Sequence, residues 1–189
     1  MHIRIVQEGP EALGAYGDVP IAFRVDRRMR YVEREPGAWD AVEVRVPEPW
    51  VKDYDLDAGP PARLAARWDL SSWLILAALH GETRVGGALV AWNTPAVEML
   101  EGRDDLAVLF DLRIRPPYRR KGLGGALLDY AAAWARQRGC GDLEVETQDV
   151  NVSACRFYAK QGFRLKSVQP RGYPELPVVT KLVWTRRLT

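Results

Sequence analysis

The sequence predicts an α+β fold, and three observations predict it. Short stretches with an apolar period of two fill much of the chain, and two stretches after residue 120 have helical spacing. Pro and Gly gather in brief turns such as EPGAWD, VPEPW and AGPPA instead of in a linker. No internal repeat or low-complexity segment divides the chain, so a single domain over residues 1–189 is expected. The 47% apolar content, with 10% aromatics, is enough for one substantial core.

The elements follow in order. HIRIV, IAFRV, MRYVER and AVEVRV alternate as strands do, and helices are less evident in this first part. From Ser72 the pattern strengthens: SSWLILAAL and TRVGGALVAW flank the turn HGE as an antiparallel hairpin, and LAVLFDLRI reads as a third apolar strand. Leu127, Leu128, Ala131, Trp134 and Ala135 then recur at helical spacing until Gly139 and Gly141 stop the helix. DLEVET reads as a strand, VSACRFYAKQ as a short helix closed by Gly162, and FRLKSV and VVTKLVW as the last strands. The order after Ser72 is βββαβαββ.

Composition excludes several functions. Lys and Arg total 27 against 25 Asp and Glu, and a net charge of +2 supplies no electrostatic reason to expect nucleic acid or an anionic membrane as partner. The start MHIRIVQEGPEALG lacks the apolar run of a signal peptide and no stretch approaches bilayer length, so a cytoplasmic location is expected. Cys140 and Cys155 are too far apart for a C-x-x-C pair, and only His2 and His80 could complete a metal site. No metal is expected, and the cysteines read as filling small apolar holes. Asn151, Val152 and Ser153 match a glycosylation sequon, which has no meaning without secretion.

The stretch PPYRRKGLGGALLDYAAAWA carries the chemistry. Gly122, Gly124 and Gly125 stand between a basic cluster and the helix, where backbone N–H groups and the positive end of the helix dipole converge on an anion. A Walker loop would need Lys followed by Ser or Thr, but Lys121 precedes Gly122 and no hydroxyl follows. A dinucleotide loop would need a third glycine at position 127, which is leucine, and a tighter turn than RPPYRRK.

A third pattern is complete. Arg119, Gly122 and Gly124 spell R-x-x-G-x-G, preceded by Leu112, Ile114 and Pro116 at the spacing L-x-V-x-P with Ile in the Val place. Downstream, Asn151, Ala154, Phe157 and Tyr158, then Gly162 and Phe163, spell N-x-x-A-x-x-x-Y and G-F. Together these resemble the GNAT superfamily of N-acetyltransferases from about Ser72 onward. LEVETQDVNVSACRFYAKQGF is very similar to the matching segment of streptothricin acetyltransferases, and Pro49, Lys52 and Tyr54 keep that family's P-x-x-K-x-Y spacing.

The resemblance implies a GNAT fold, a mixed, mostly antiparallel sheet flanked by helices with strands splayed around acetyl-CoA. It divides the domain into an acceptor-side segment over about 1–70, an acetyl-CoA core over about 72–168 and C-terminal strands over about 163–187. It implies that backbone N–H groups from Arg120 through Lys121, Gly122, Leu123 and Gly124 to Gly125 bind pyrophosphate, with charge added by Arg119, Arg120 or Lys121. It also implies that the Leu112 main chain faces the thioester oxygen, that Ile114 pairs with the pantetheine arm, and that Asn151 and Ala154 lie beside that arm. Tyr158 takes the place of the general acid that protonates the leaving thiolate.

An ammonium acceptor must lose a proton before it attacks, so a carboxylate is needed near the amine, directly or through water. Asp111 and Glu146 are the candidates, each a charge within an apolar strand that faces a wet cleft or pairs with an arginine such as Arg113. Asn151 also caps the helix that follows it. The acceptor implied is a small-molecule primary amine such as the β-lysine amine of streptothricin, with Trp50, Asp53, Tyr54, Asp55 and Trp92 as the pool that lines its site. A protein or peptide N-terminal amine is the alternative acceptor, and a noncatalytic acyl-CoA-binding domain the alternative class. A homodimer through the C-terminal strands is the assembly common in the superfamily.

Overall fold

The computed structural model describes residues 2–188, so Met1 and Thr189, the ends of the expected single domain, lie outside the described residues. In chain order the elements are β1 (Arg4–Glu8), α1 (Leu13–Gly17), β2 (Phe23–Glu35), β3 (Ala38–Lys52), α2 (Tyr54–Ala58), β4 (Leu74–His80), β5 (Thr83–Trp92), β6 (Leu106–Ile114), α3 (Leu123–Gln137), β7 (Asp142–Gln148), α4 (Val152–Lys160), β8 (Arg164–Gln169) and β9 (Lys181–Arg187). After Ser72 the order is the expected βββαβαββ, with short 3-10 turns between. The chain divides into two units, one of residues up to 22, 53–143 and from 188, the other of residues 23–52 and 144–187.

In the first unit β1, β4, β5 and β6 pair in that order, all antiparallel. Strand β4 reads as an unbroken apolar run because Leu74 to Ala78 are all buried. Helix α3 packs on β4, β5 and β6 through Leu127, Leu128, Ala131 and Ala135. Tyr16, Leu89, Val97 and Val108 belong to a cluster that also holds Leu13 and Trp73. A Cβ on Gly87 would lie 2.6 Å from the Tyr16 ring and 2.3 Å from the Leu76 carbonyl oxygen, so only glycine leaves room for Tyr16 there. Helices α1 and α2 were not expected, because five residues each give no period to read.

One irregularity shapes β6. Leu89 pairs with Asp111 and Val90 with Leu109, which leaves Phe110 as an extra residue, a β-bulge. Leu106 and Val108 face the Tyr16 cluster, and the extra residue turns Asp111 and Arg113 to that same side, where strict alternation would have sent them away.

In the second unit β2 and β3 form a long hairpin that is a two-stranded sheet of its own, and β7, β9 and β8 lie side by side in that order. IAFRV and MRYVER, expected as two strands, run together as β2 across a bulge between Val25 and Arg27. Asp149 ties this unit together. It is buried, Arg28 donates to its Oδ2 through Nε and Nη2, and the Thr180 N–H donates to its Oδ1 at 2.9 Å. Its own N–H and carbonyl pair with Thr180 O and Met29 N. Arg28 also donates to the Val178 carbonyl at 2.7 Å, so one carboxylate holds the hairpin and the segment before β9.

No helix among the described residues is long and apolar enough to cross a membrane. Removing a buried partner strands the other charge, so Asp149→Ala is expected to lower unfolding free energy by about 3 kcal/mol in a urea titration. A loss no larger than that of an exposed ion pair would show that the hairpin is held by other contacts.

Candidate active site

The glycine loop is built by backbone conformation. Strand β6 ends at Ile114, a 3-10 turn over Pro116–Tyr118 follows, and α3 begins at Leu123. Arg120 has φ 57° and Gly122 φ 85°, two left-handed residues with one residue between them. Such alternation turns successive N–H groups toward one concavity. Among the described residues no side chain caps α3, which leaves the N–H groups of its first turn to a ligand. Leu123 is buried and anchors the turn, while Gly122 lies at the surface and Gly124 and Gly125 are half-buried. These features suit a phosphate-bearing group.

The basic cluster divides by role. Arg113 is interior, Arg115 Nε donates to the Arg84 carbonyl at 2.8 Å, and Arg119 Nε donates to the Ile114 carbonyl at 2.8 Å. Arg115 and Arg119 therefore brace the loop on the strands. Arg120 and Lys121 are exposed, with the Lys121 ammonium 6.0 Å from the Tyr118 ring centroid. The Tyr118 hydroxyl is 2.9 Å from His80 Nδ1, which pins the turn to the end of β4.

Asp111 sits in a network that includes residues with no sequence signal. The Tyr16 hydroxyl donates to its Oδ1 at 2.8 Å, Arg113 Nε donates to Oδ1 at 3.0 Å, and Arg113 Nη2 donates to Oδ2. Arg113 also grips Asp55 in α2 with two bonds of 2.9 and 3.0 Å and donates to the Val19 carbonyl. Burial pulls the Arg113 pKa down, but bonds to Asp111 and Asp55 overcome it and hold the guanidinium above its ordinary value. Burial, reinforced by the Asp111 charge, pushes the Tyr16 phenol well up, so it stays a donor. Leu112 and Ile114, on the same strand, are half-buried opposite Ala88 and Gly86.

In the second unit Asn151 precedes α4 and its side chain accepts from the Ala154 N–H at 3.1 Å, the capping bond read in the sequence. Gly162, at φ 80°, ends the helix, where its own N–H bonds Ala159 and that of Phe163 bonds Tyr158. The Tyr158 ring is buried between Phe157 and Phe163, with centroids 5.3 and 5.5 Å away. Glu146 Oε1 accepts from the Tyr173 hydroxyl at 2.7 Å and Oε2 pairs with the Lys181 ammonium at 2.7 Å. Burial pushes the thiols of Cys140 and Cys155 up to about 11 and about 12, as inert core cysteines. Among the described residues no group of His, Cys, Asp and Glu is placed to hold a metal ion.

Comparison with known proteins decides the family. The model of the acetyltransferase (GNAT) family matches residues 38–163. Streptothricin acetyltransferase A of Bacillus subtilis (strain 168) is 30% identical over 148 residues, 78% of each chain. The chain belongs to the GNAT family of acetyltransferases. As a GNAT acetyltransferase it is an enzyme that takes its acetyl group from acetyl-CoA.

Solved structures share the GNAT fold, a mixed, mostly antiparallel sheet flanked by helices. A nourseothricin acetyltransferase aligns over 100% of both chains with a TM-score of 0.77 and 21% identity. A Bacillus anthracis protein described as a streptothricin acetyltransferase, solved with acetyl coenzyme A, aligns over 99% of both with a TM-score of 0.77 and 22% identity. The Escherichia coli (strain K12) ribosomal protein bS18-alanine N-acetyltransferase is 34% identical over 70 residues, 37% of this chain and 47% of that one.

Of the pool read as acceptor-lining, Asp55 is committed to Arg113, Asp53 caps α2 by accepting from the Asp55 N–H, and Trp92 Nε1 donates to the Asp104 carbonyl. Tyr54 is half-buried and Trp50 exposed. Gly122→Ala tests the loop. A Cβ at Gly122 meets nothing within 4 Å, so the cost is conformational, about 1 kcal/mol for a side chain held left-handed. Acetyl-CoA affinity in a calorimetric titration is expected to fall severalfold as the loop relaxes, and an unchanged affinity would place the donor elsewhere.

Proposed function

We propose that this acetyltransferase moves the acetyl group of acetyl-CoA to a primary amine of a small cationic molecule, such as the β-lysine amine of streptothricin, by direct attack of the amine on the thioester. The observation that carries this reading is the 30% identity to a streptothricin acetyltransferase across 78% of both chains. Similarity to the ribosomal-protein acetyltransferase covers 37% of this chain. We place the reaction in the cytoplasm, within one domain over 1–189.

The residues take the following parts in the proposal. N–H groups from Arg120 to Gly125 hold the pyrophosphate, with Arg120 and Lys121 adding charge and Arg119 bracing the loop. The Leu112 main chain donates to the thioester oxygen as it gains charge, and Ile114 pairs with the pantetheine arm, which Asn151 and Ala154 flank. The amine nitrogen bonds to the thioester carbon, the carbon–sulfur bond breaks, and Tyr158 gives its proton to the departing thiolate. Glu146 is the carboxylate more open to water, with 27% of its side chain exposed against 13% for Asp111, and takes the ammonium proton through a water. Asp111 holds the Tyr16 and Arg113 network and adds negative charge beside the acceptor.

Acetylation assays with streptothricin, aminoglycosides, polyamines, free lysine and N-terminal peptides test the acceptor, and streptothricin is expected to be turned over best. Turnover of peptides alone would overturn the reading, and acetyl-CoA binding without turnover would make the chain a noncatalytic binder. Tyr158→Phe is expected to lower kcat by about 10²-fold or more while leaving acetyl-CoA affinity in place. An unchanged kcat would remove Tyr158 from the mechanism.

A further inference from the structure

An aromatic ring lies at the surface where β6 bulges. Phe110 is the residue without a partner in β5, and 37% of it is exposed although it lies between buried Leu109 and half-buried Asp111. It lies against Trp73 at 4.9 Å and Trp68 at 5.4 Å between centroids, and those two indoles stack at 6.0 Å. Both indoles are fixed, since Trp73 Nε1 donates to Thr94 Oγ1 at 2.9 Å and Trp68 Nε1 to the Ala96 carbonyl at 3.2 Å. Trp73 belongs to the buried cluster that holds Tyr16, with Trp68 packed against it. Phe110 is thus backed by rigid rings, and ordering it for a ligand costs little entropy.

Both signs of charge stand near it. The residue after Phe110 is Asp111, and Asp111 and Asp55 share one guanidinium, that of Arg113. The Arg67 guanidinium lies 4.4 Å from the Trp68 centroid, and among the described residues no cationic side chain lies over Phe110. A rigid exposed ring with no cation over its face attracts an ammonium group through the negative face of the ring.

We propose that Phe110 is a specificity-determining residue for the acceptor: its exposed face, backed by Trp68 and Trp73, is the subsite for an ammonium group of a cationic amine. This rests on the acceptor reading above and deepens it, since a substrate with several amines can dock one ammonium here while another reacts.

The test compares variants on two probes. Phe110→Leu keeps an apolar side chain but removes the ring, and Phe110→Tyr keeps the ring. With streptothricin as acceptor, Phe110→Leu is expected to raise KM about tenfold, with kcat and acetyl-CoA affinity within about twofold of wild type, and Phe110→Tyr to restore KM. The second probe needs no turnover. Choline binding, followed by tryptophan fluorescence with acetyl-CoA bound, is expected to weaken in Phe110→Leu, and uncharged 3,3-dimethylbutanol is expected to bind more weakly than choline to wild type. Choline binding that depends on the ring, without turnover of streptothricin, would sink the acceptor reading and leave the subsite standing. Equal binding of choline and the alcohol, no choline binding at all, or a Phe110→Leu variant matching wild type on both probes would overturn the subsite.

Discussion

One extra residue in β6 decides what that strand presents. Without the bulge at Phe110, alternation would place Asp111 and Arg113 on the α3 side of the sheet, where a carboxylate and a guanidinium would displace apolar packing. With it, both side chains reach the Tyr16 side and satisfy each other. The network that anchors α2 and α1 to β6, through Asp55, Val19 and Tyr16, depends on that shift. Gly87 serves the same arrangement from β5, because any side chain there would push Tyr16 away from Asp111.

The loop before α3 and the cap of α4 solve a related problem by opposite means. Both are helix N-termini with unsatisfied N–H groups. At α4 the chain supplies the acceptor itself, Asn151 Oδ1, and so fixes the helix that carries Tyr158. At α3 it supplies none, and spends two left-handed residues, Arg120 and Gly122, on keeping the N–H groups exposed. An arginine in the left-handed region is less comfortable than a glycine by roughly 1 kcal/mol, and the bond from Arg119 to Ile114 O helps hold the turn that imposes it. The strain sits at the proposed anion site, as it does at many functional loops.

Much of this was legible in the chain. Gly139 and Gly162 close α3 and α4 where the sequence places them, because a left-handed C-terminal residue has a strong residue preference. The glycine loop and the downstream asparagine and tyrosine announce themselves by spacing. What could not be read was long-range. Arg113 is 58 residues from Asp55 and 95 separate Tyr16 from Asp111, and no local pattern marks such partners. The bulge was invisible for a different reason: LAVLFDLRI reads as a regular apolar strand, and one unpaired residue leaves its period almost unchanged. Asp149 carries no sequence signal because a carboxylate at the end of a strand looks like any turn residue until its three partners, Arg28, Met29 and Thr180, are known.

The interleaving of the two units along the chain has a consequence for biosynthesis. Arg28 finds Asp149 across 121 residues and Val178 across 150. A ribosome adding about 5–20 residues per second delivers those partners on the order of ten seconds after the β2–β3 hairpin emerges. Through that interval the hairpin waits as a two-stranded ribbon with Val32, Val42 and Val51 exposed, marginal in water without its later supports. The nascent chain is most open to aggregation or a holding chaperone then, and the arginines and glutamates spread along β2 and β3 keep the waiting ribbon in solution.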